Sequence, residues 1–578
     1  MRKNLIFFYN TQNLRSSENY TLYGNYNKYE NPNLKSSNVD FFEKKNISNE
    51  ELTERYDFCE KIFLKVLNKL TIELNKIHKT NHSNRFWEIL LGKFLRHFIY
   101  TVFNSYSDLT EILKNQNIKD IFLINTKKYK LFVENTFAQS FCKLDDNWIA
   151  ALNSKIVDQM STTKSKFFSD SKKKFFKLPK ELDNQKVENK TLKYFSNFFN
   201  YLFKKNQIII YLSGMPFLFE KYLEYKLKQF PSFYCLNDFD YKTYNSEMRS
   251  NINFNLYKCE NEFEKILISL IPEALPLYIL ENFKDLEISA KSSNLNKNPK
   301  IIFTSLGYAY DEVFKFYIAK NCEKNSKFFV MQHGNNYFTD IHTKYLSELK
   351  SSDKFISWGK EDPSNNVHPG FNLKTVRKIK YNQNSNYLSV LTNPIIFESA
   401  PYNRDYLNKL HLINTSNLLS NLEDKIKKQT RIKIHYGTLI DKNINYYEGL
   451  FELKGFKLYN SKKNIKSVIN NSRLCLFNYE STGVFENLAM NIPTIFYLNS
   501  YNNRLNKSYE NTYSILKNIG IFFDDEKKLI KHINNVWNNI HEWWYDDETQ
   551  GNIKKFNMEL NIPFKNSEKF TNFFKKEI

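Results

Sequence analysis

Short apolar runs, each closed by a small or polar turn, recur through most of this chain and alternate with segments whose apolar residues repeat at the helical period. DIFLIN (from Asp120), QIIIYLSG (from Gln207), PKIIFTSLG (from Pro299) and SKFFVMQHG (from Ser326) make a first series. LSVLTN, TRIKIHYG, FELKGFKLYN, SRLCLFNYE and IPTIFYL make a second, beginning at Leu388. Runs that are apolar throughout are buried on both faces, as parallel strands are when helices cover both sides of a sheet. Ala309 to Asn321, AYDEVFKFYIAKN, is the clearest crossover helix. The alternation predicts an α/β fold, and the polar break near Lys380 to Asn386 divides it into two Rossmann-like domains facing a cleft.

Ahead of the first series, Leu5 to Tyr9 reads as an opening buried strand, followed by a polar, Asn- and Tyr-rich stretch to about Asn46. Ile62 to Ile77 and Asn84 to Tyr106 then repeat near 3.6 residues and read as added packing helices. The expected division is an N-terminal domain over 1–384 with a helical insertion at about 47–117, a C-terminal domain over 385–545, and a tail over 546–578 that crosses back to the first domain. No repeat with a period of about 20 to 50 residues is present.

The chain has 578 residues, too many for one core, and with 41% hydrophobic and 16% aromatic residues it is not disordered. Its formal net charge of +22 raises nucleic acid, anionic membrane and acidic substrates as partners. The lysines are scattered among Glu and Asp, and no Arg-rich or Gly-aromatic signature supports nucleic acid. Thr163 to Lys186 interleaves Lys with Phe pairs, which suits either an anionic bilayer or a lysine-rich connector. Six separated cysteines without a CxxC pair indicate neither a zinc site nor a disulfide framework, and fit reduced, cytoplasmic thiols. MRKNLIFFYNTQNL has too few apolar residues after its basic start for a signal peptide or membrane span.

Ligands of open α/β sheets bind at the carboxyl ends of strands, which directs attention to the residues just beyond each run. LCLFNYESTGVFENLAMNIPTIFY, from Leu474, places Ser481, Thr482 and Gly483 where a strand passes into a helix, in a chain with only 13 glycines. Free N–H groups and the positive end of the helix dipole favour a phosphate there, although a serine or threonine at such a place is also an ordinary N-cap. Glu486 lies four residues beyond Thr482 on the same face, placed to accept from nucleotide sugar hydroxyls. His333, at a strand end beside Gln332 and Gly334, reads as a general base or phosphate contact, against a structural role. His435 has the same placement in the second series and reads as a nucleotide or leaving-group contact. Ser305 and Trp358 complete the residues expected on the cleft wall, Trp358 with core packing as its alternative. HEWWYDDETQ, from His541, lacks the spacing of a metal site, and no Walker loop, GxGxxG or nucleophile elbow occurs.

Asn84 to Tyr106, the strand-helix-strand ending in QHG, SDKFISWG, NYESTGVFENLAMNIPTIFY, and NIGIFFDD followed by EWWYDDETQ together resemble a family of transferases from bacterial O-antigen and surface-polysaccharide clusters, over nearly the whole chain. More distantly, the QHG and STxxxEN pair is similar to Kdo-type capsule glycosyltransferases and to CDP-glycerol polymerases, both of GT-B architecture. The resemblance implies a metal-independent, cofactor-free glycosyltransferase. In it His333 would be the base, while Ser481, Thr482 and Glu486 would belong to the donor-binding loop and helix. Its partners would be a nucleotide-sugar donor, by analogy a CMP-linked ulosonic acid, and a polysaccharide or lipid-linked glycan acceptor, in the cytoplasm and peripheral to an anionic inner membrane. CDP-alcohol polyol-phosphate transfer and a non-catalytic, basic membrane-associated scaffold are the competing readings. One departure stands out: the family has a second glycine and a Tyr-Gly after QHG, where this chain has Asn335, Asn336, Tyr337 and Phe338.

Overall fold

The computed structural model describes residues 3–7, 14–15, 17–25, 38–125, 128–160, 165–169, 174–179, 198, 207–229, 232, 234, 236, 239–335, 337–376, 381–382, 384–395, 399–402, 405–439, 441, 443–499 and 504–578. The apolar runs fold into three sheets. The first holds β1 (Lys3–Ile6), β2 (Tyr20–Leu22), β3 (Val39–Phe41), β4 (Ile118–Ile124) and β5 (Ser165–Ser169), in the order β3-β2-β1-β4-β5. The second holds β6 (Ile208–Ile210), β7 (Ile301–Thr304), β8 (Lys327–Met331), β9 (Lys354–Ser357) and β10 (Val367–Pro369), in the order β10-β9-β8-β7-β6. The third holds β11 (Tyr387–Leu391), β12 (Thr430–Lys433), β13 (Lys457–Leu458), β14 (Ser472–Phe477), β15 (Thr494–Tyr497) and β16 (Phe522–Phe523), in the order β13-β12-β11-β14-β15-β16. Every pairing between these strands is parallel.

The third sheet has the strand order of a dinucleotide-binding sheet, whose winding reverses between its first and fourth strands, here β11 and β14. Beyond that junction Asn393 N–H donates to Asn478 Oδ1 at 2.6 Å, and Asn478 Nδ2 donates to Asn393 Oδ1 at 2.8 Å. Both side chains are buried, so the reciprocal pair satisfies polar groups that would otherwise destabilise the strand ends.

Two local expectations are corrected. DIFLIN does not join the sheet of the next three runs; β4 pairs with β1 and β5 in a separate sheet. FELKGFKLYN is mostly not a strand: its first residues end the helix Ile444–Glu452, and only Lys457–Leu458 pairs. The acids of HEWWYDDETQ open a helix, with Asp546 capping Asp547–Leu560 by accepting from Glu548 and Thr549 N–H groups. Of the stretch Thr163 to Lys186, residues 165–169 form β5 and 174–179 are described, and the rest lies outside the described residues.

Helix α1 (Asn49–His78), capped by Ser48, and helix α2 (Asn84–Asn115), capped by Ser83, form a hairpin. Its apolar faces merge with the first sheet and one face of the second into a single core. The opposite face of the second sheet is covered by the C-terminal helix Glu568–Glu577, whose Phe570 and Phe574 pack on Phe303 and Phe329. Burying two phenylalanines in this way contributes about 1.5–3 kcal/mol each. Between Asp547–Leu560 and this last helix, Ile562 N–H donates to the Trp358 carbonyl at 2.7 Å, so the chain end ties the second and third sheets together. No helix among the described residues is long and apolar enough to cross a membrane.

Candidate active site

β8 ends at Met331, and the residues after it are fixed by one side chain. Gln332 is buried; its Nε2 donates to the Gly334 carbonyl at 2.8 Å, its Oε1 accepts from Trp358 N–H at 2.9 Å, and its carbonyl accepts from Trp358 Nε1 at 2.9 Å. With the turn clamped to the end of β9, His333 is left half-buried at the carboxyl edge of the sheet. Its Nδ1 lies 3.0 Å from the Tyr337 hydroxyl, which donates to Glu348 Oε1 at 2.7 Å.

The loop then meets the third sheet. Asn335 N–H donates to Thr482 Oγ1, and Thr482 Oγ1 donates to Asn335 Oδ1, both at 3.1 Å. Asn335 Nδ2 also donates to the Glu480 carbonyl. Thr482 is the first residue of the helix Thr482–Ala489. His333, Gly334 and Thr482 therefore line one cavity of about 340 Å³. Its opposite wall is α2, which contributes Lys93, Arg96, His97 and Tyr100. Arg96 is held by a bidentate contact with Glu60 at 2.9 and 3.0 Å and by Glu88 at 2.9 Å. Paired this way a buried guanidinium is tolerated, whereas an unpaired one would be strongly destabilising.

The other expected residues are placed differently. Ser481 is buried and spends its hydroxyl locally, accepting from Gly483 N–H and donating to the Tyr479 hydroxyl, both at 3.1 Å. Gly483 is required by packing: a Cβ there would stand 2.7 Å from the Phe477 ring. Glu486 is half-buried on the same helix, outside the cavity, and burial raises its carboxyl pKa against the opposing pull of Lys374 and Lys466. His435 accepts from Gly437 N–H at its Nδ1 (3.0 Å), which leaves Nε2 as its donor. Burial, helped by Lys433, lowers its pKa to about 4, so the ring is neutral near pH 7. Trp358 is fully buried against Phe485 and Ser305 lies buried beyond β7; with Gln332 they stand behind the cavity wall, since their side chains are enclosed by the second sheet and its neighbours.

Two features were missed in the sequence. Lys93, Arg96, His97 and Tyr100 recur at i, i+3, i+4 and i+7 in an otherwise apolar helix, a polar stripe that was the available signal. Glu480 joins the two halves by accepting from Thr339 Oγ1 at 2.9 Å and from the Tyr513 hydroxyl. Burial pushes its pKa up to about 7, against the pull of those two hydrogen bonds. Among the described residues no cluster of His, Cys, Asp or Glu is arranged to hold a metal ion.

A cavity at the carboxyl ends of parallel strands, reached from two sheets and carrying a histidine, defines a ligand-binding α/β protein of the doubly wound class. Residues 4–571 match the family described as LIC12162 family transferase, and the chain belongs to that family. No functionally curated protein matches it in sequence. Similar solved structures include a mutant O-GlcNAc transferase from Thermobaculum terrenum, at 10% identity over 65% of this chain and 68% of that one, with a TM-score of 0.31. The spinosyn rhamnosyltransferase SpnG is similar at 8% identity with its aglycone bound (54% and 77% covered, TM-score 0.26) and at 10% alone (51% and 75%, TM-score 0.25).

Proposed function

We propose that this transferase moves a sugar from a nucleotide-activated donor to a surface-polysaccharide or lipid-linked glycan acceptor, on the cytoplasmic side of a membrane. The observation that carries the reading is that His333, from the second sheet, and Thr482, from the third, face one cavity. In the reaction His333 takes the proton of an acceptor hydroxyl as its oxygen attacks the anomeric carbon. The bond from that carbon to the phosphate breaks, and the electron pair leaves with the nucleotide. The positive end of the helix Thr482–Ala489 stabilises the departing phosphate, an electrostatic contribution of about 3–4 kcal/mol where a donor is well placed. Since Ser481 and Gly483 serve capping and packing, donor contact within the cavity falls to Thr482, and a nucleotide reaching past the cavity lining would meet Glu486 and the neutral Nε2–H of His435. A CMP-linked ulosonic acid is the preferred donor class, and no metal ion takes part.

Thermal-shift measurements against CMP-, UDP-, GDP- and CDP-linked compounds test this. A donor at 100 times its Kd stabilises by about 2.7 kcal/mol and raises Tm. The rise is expected for one nucleotide class and is expected to vanish in Thr482→Val and Glu486→Ala. A panel without any shift, or a shift retained in both variants, contradicts the assignment.

A further inference from the structure

The contacts of Tyr337 determine more than the position of His333. A phenol carries a single proton, and a carboxylate only accepts. Tyr337 gives its proton to Glu348 Oε1 at 2.7 Å, so towards His333 Nδ1, 3.0 Å away, its oxygen offers lone pairs alone. The ring nitrogen facing it then carries the hydrogen. We infer that Tyr337 and Glu348 are positioning residues that hold His333 as the Nδ1–H tautomer and so keep its basic lone pair on Nε2.

The surroundings make the arrangement stiff. Tyr337 is 7% and Glu348 8% exposed. The tyrosine ring stacks on Phe355 of β9, with centroids 5.2 Å apart, and meets the His333 ring edge to face at 5.5 Å. Glu348 sits in the short helix Ser347–Ser351, where the neighbouring Ser347 hydroxyl accepts from Arg96 Nη1 at 3.2 Å. The relay is thus anchored on both the second sheet and α2. When Nε2 takes the acceptor's proton, the imidazolium donates through Nδ1 to an oxygen already polarised by the Glu348 carboxylate, which spreads the new charge without a second proton transfer. The logic is that of an aspartate orienting the histidine of a hydrolase triad, with a phenol interposed.

The inference rests on His333 as base, yet its test needs no substrate. Full-length protein carrying 15N-labelled histidine reports the tautomer through its ring-nitrogen shifts, and His333→Gln assigns the signal. Wild-type His333 is expected to show Nδ1 protonated and Nε2 bare. Tyr337→Phe removes the acceptor, and Glu348→Gln lets the phenol turn its proton towards Nδ1, so both variants are expected to show mixed or reversed tautomers. With any donor the wild type turns over, each is expected to lower kcat by about 10- to 100-fold at nearly constant KM. A wild-type signal protonated on Nε2, or a tautomer unchanged in both variants, overturns the relay. A nucleotide-sugar panel that stays silent while the Nδ1–H signal is intact overturns the transfer reaction instead, so the two failures are distinct.

Discussion

Asn335 and Thr482, 147 residues apart in sequence, hold each other through a backbone N–H and a side-chain hydroxyl, both at 3.1 Å. The pair joins the loop after β8 to the first turn of the helix after β14 and sets the distance between the histidine and the helix terminus. A half-buried hydrogen bond of this kind contributes about 0.5–1.5 kcal/mol net. A double-mutant cycle of Asn335→Ala and Thr482→Val in urea is therefore expected to show a coupling of about 1 kcal/mol. Additive losses would mean that the two halves do not meet there in solution.

Gly483 supplies the second prediction. A Cβ would press on a rigid Phe477 ring at 2.7 and 2.8 Å, so Gly483→Ala is expected to destabilise by about 1–3 kcal/mol, the range for overpacking. Phe477→Leu in the same chain is expected to recover part of that loss. An alanine variant as stable as wild type would return the glycine to a ligand-binding role.

Much of this architecture is legible from local pattern. β8 and β14 are fully apolar runs, and the turns that close them mark the carboxyl ends where the cavity lies. The first sheet was legible only in β1 and β4, because β2 and β3 are three-residue strands inside an Asn- and Tyr-rich stretch that carries no period. The cavity wall on α2 was hidden for a different reason. Lys93, Arg96 and His97 are all buried, Arg96 with partners from α1 and from the helix Ser347–Ser351, and a local window cannot see that burial. The sequence leaves Ser481 open between an N-cap and a phosphate contact because the same residue types do both, and only the direction of the hydroxyl separates the two.

Glu480 makes stability fall on the alkaline side. Its carboxyl has a folded pKa of about 7 against 4.5 ordinarily, so between those values the folded state holds a proton that the unfolded chain has lost. Stability from this group is complete below about pH 4.5 and is lost as pH rises through 7. Glu480→Gln keeps an oxygen for Thr339 and Tyr513 and cannot ionise. Its Tm is expected to exceed that of wild type at pH 8 and to match it near pH 4. Equal slopes in the two proteins would contradict the assignment.

Four histidines act on the acid side. His78, His411, His435 and His532 each have a pKa lowered to about 4 by burial, so the unfolded chain binds protons that the folded one refuses. Stability is expected to fall as pH drops from about 6.5 towards 4. His532→Leu, which removes the group whose shift comes from burial alone, should flatten that limb by about one proton in a plot of unfolding free energy against pH. An unchanged slope would show His532 to be hydrated in solution.

Release of free nucleotide from an activated sugar, compared between wild type and His333→Ala, tests the central claim most directly. The account predicts that the variant still gains Tm from the donor while its release rate falls by about 10²- to 10⁴-fold, the range for a lost general base. A variant that releases nucleotide as fast as the wild type would show that the chemistry does not run through His333.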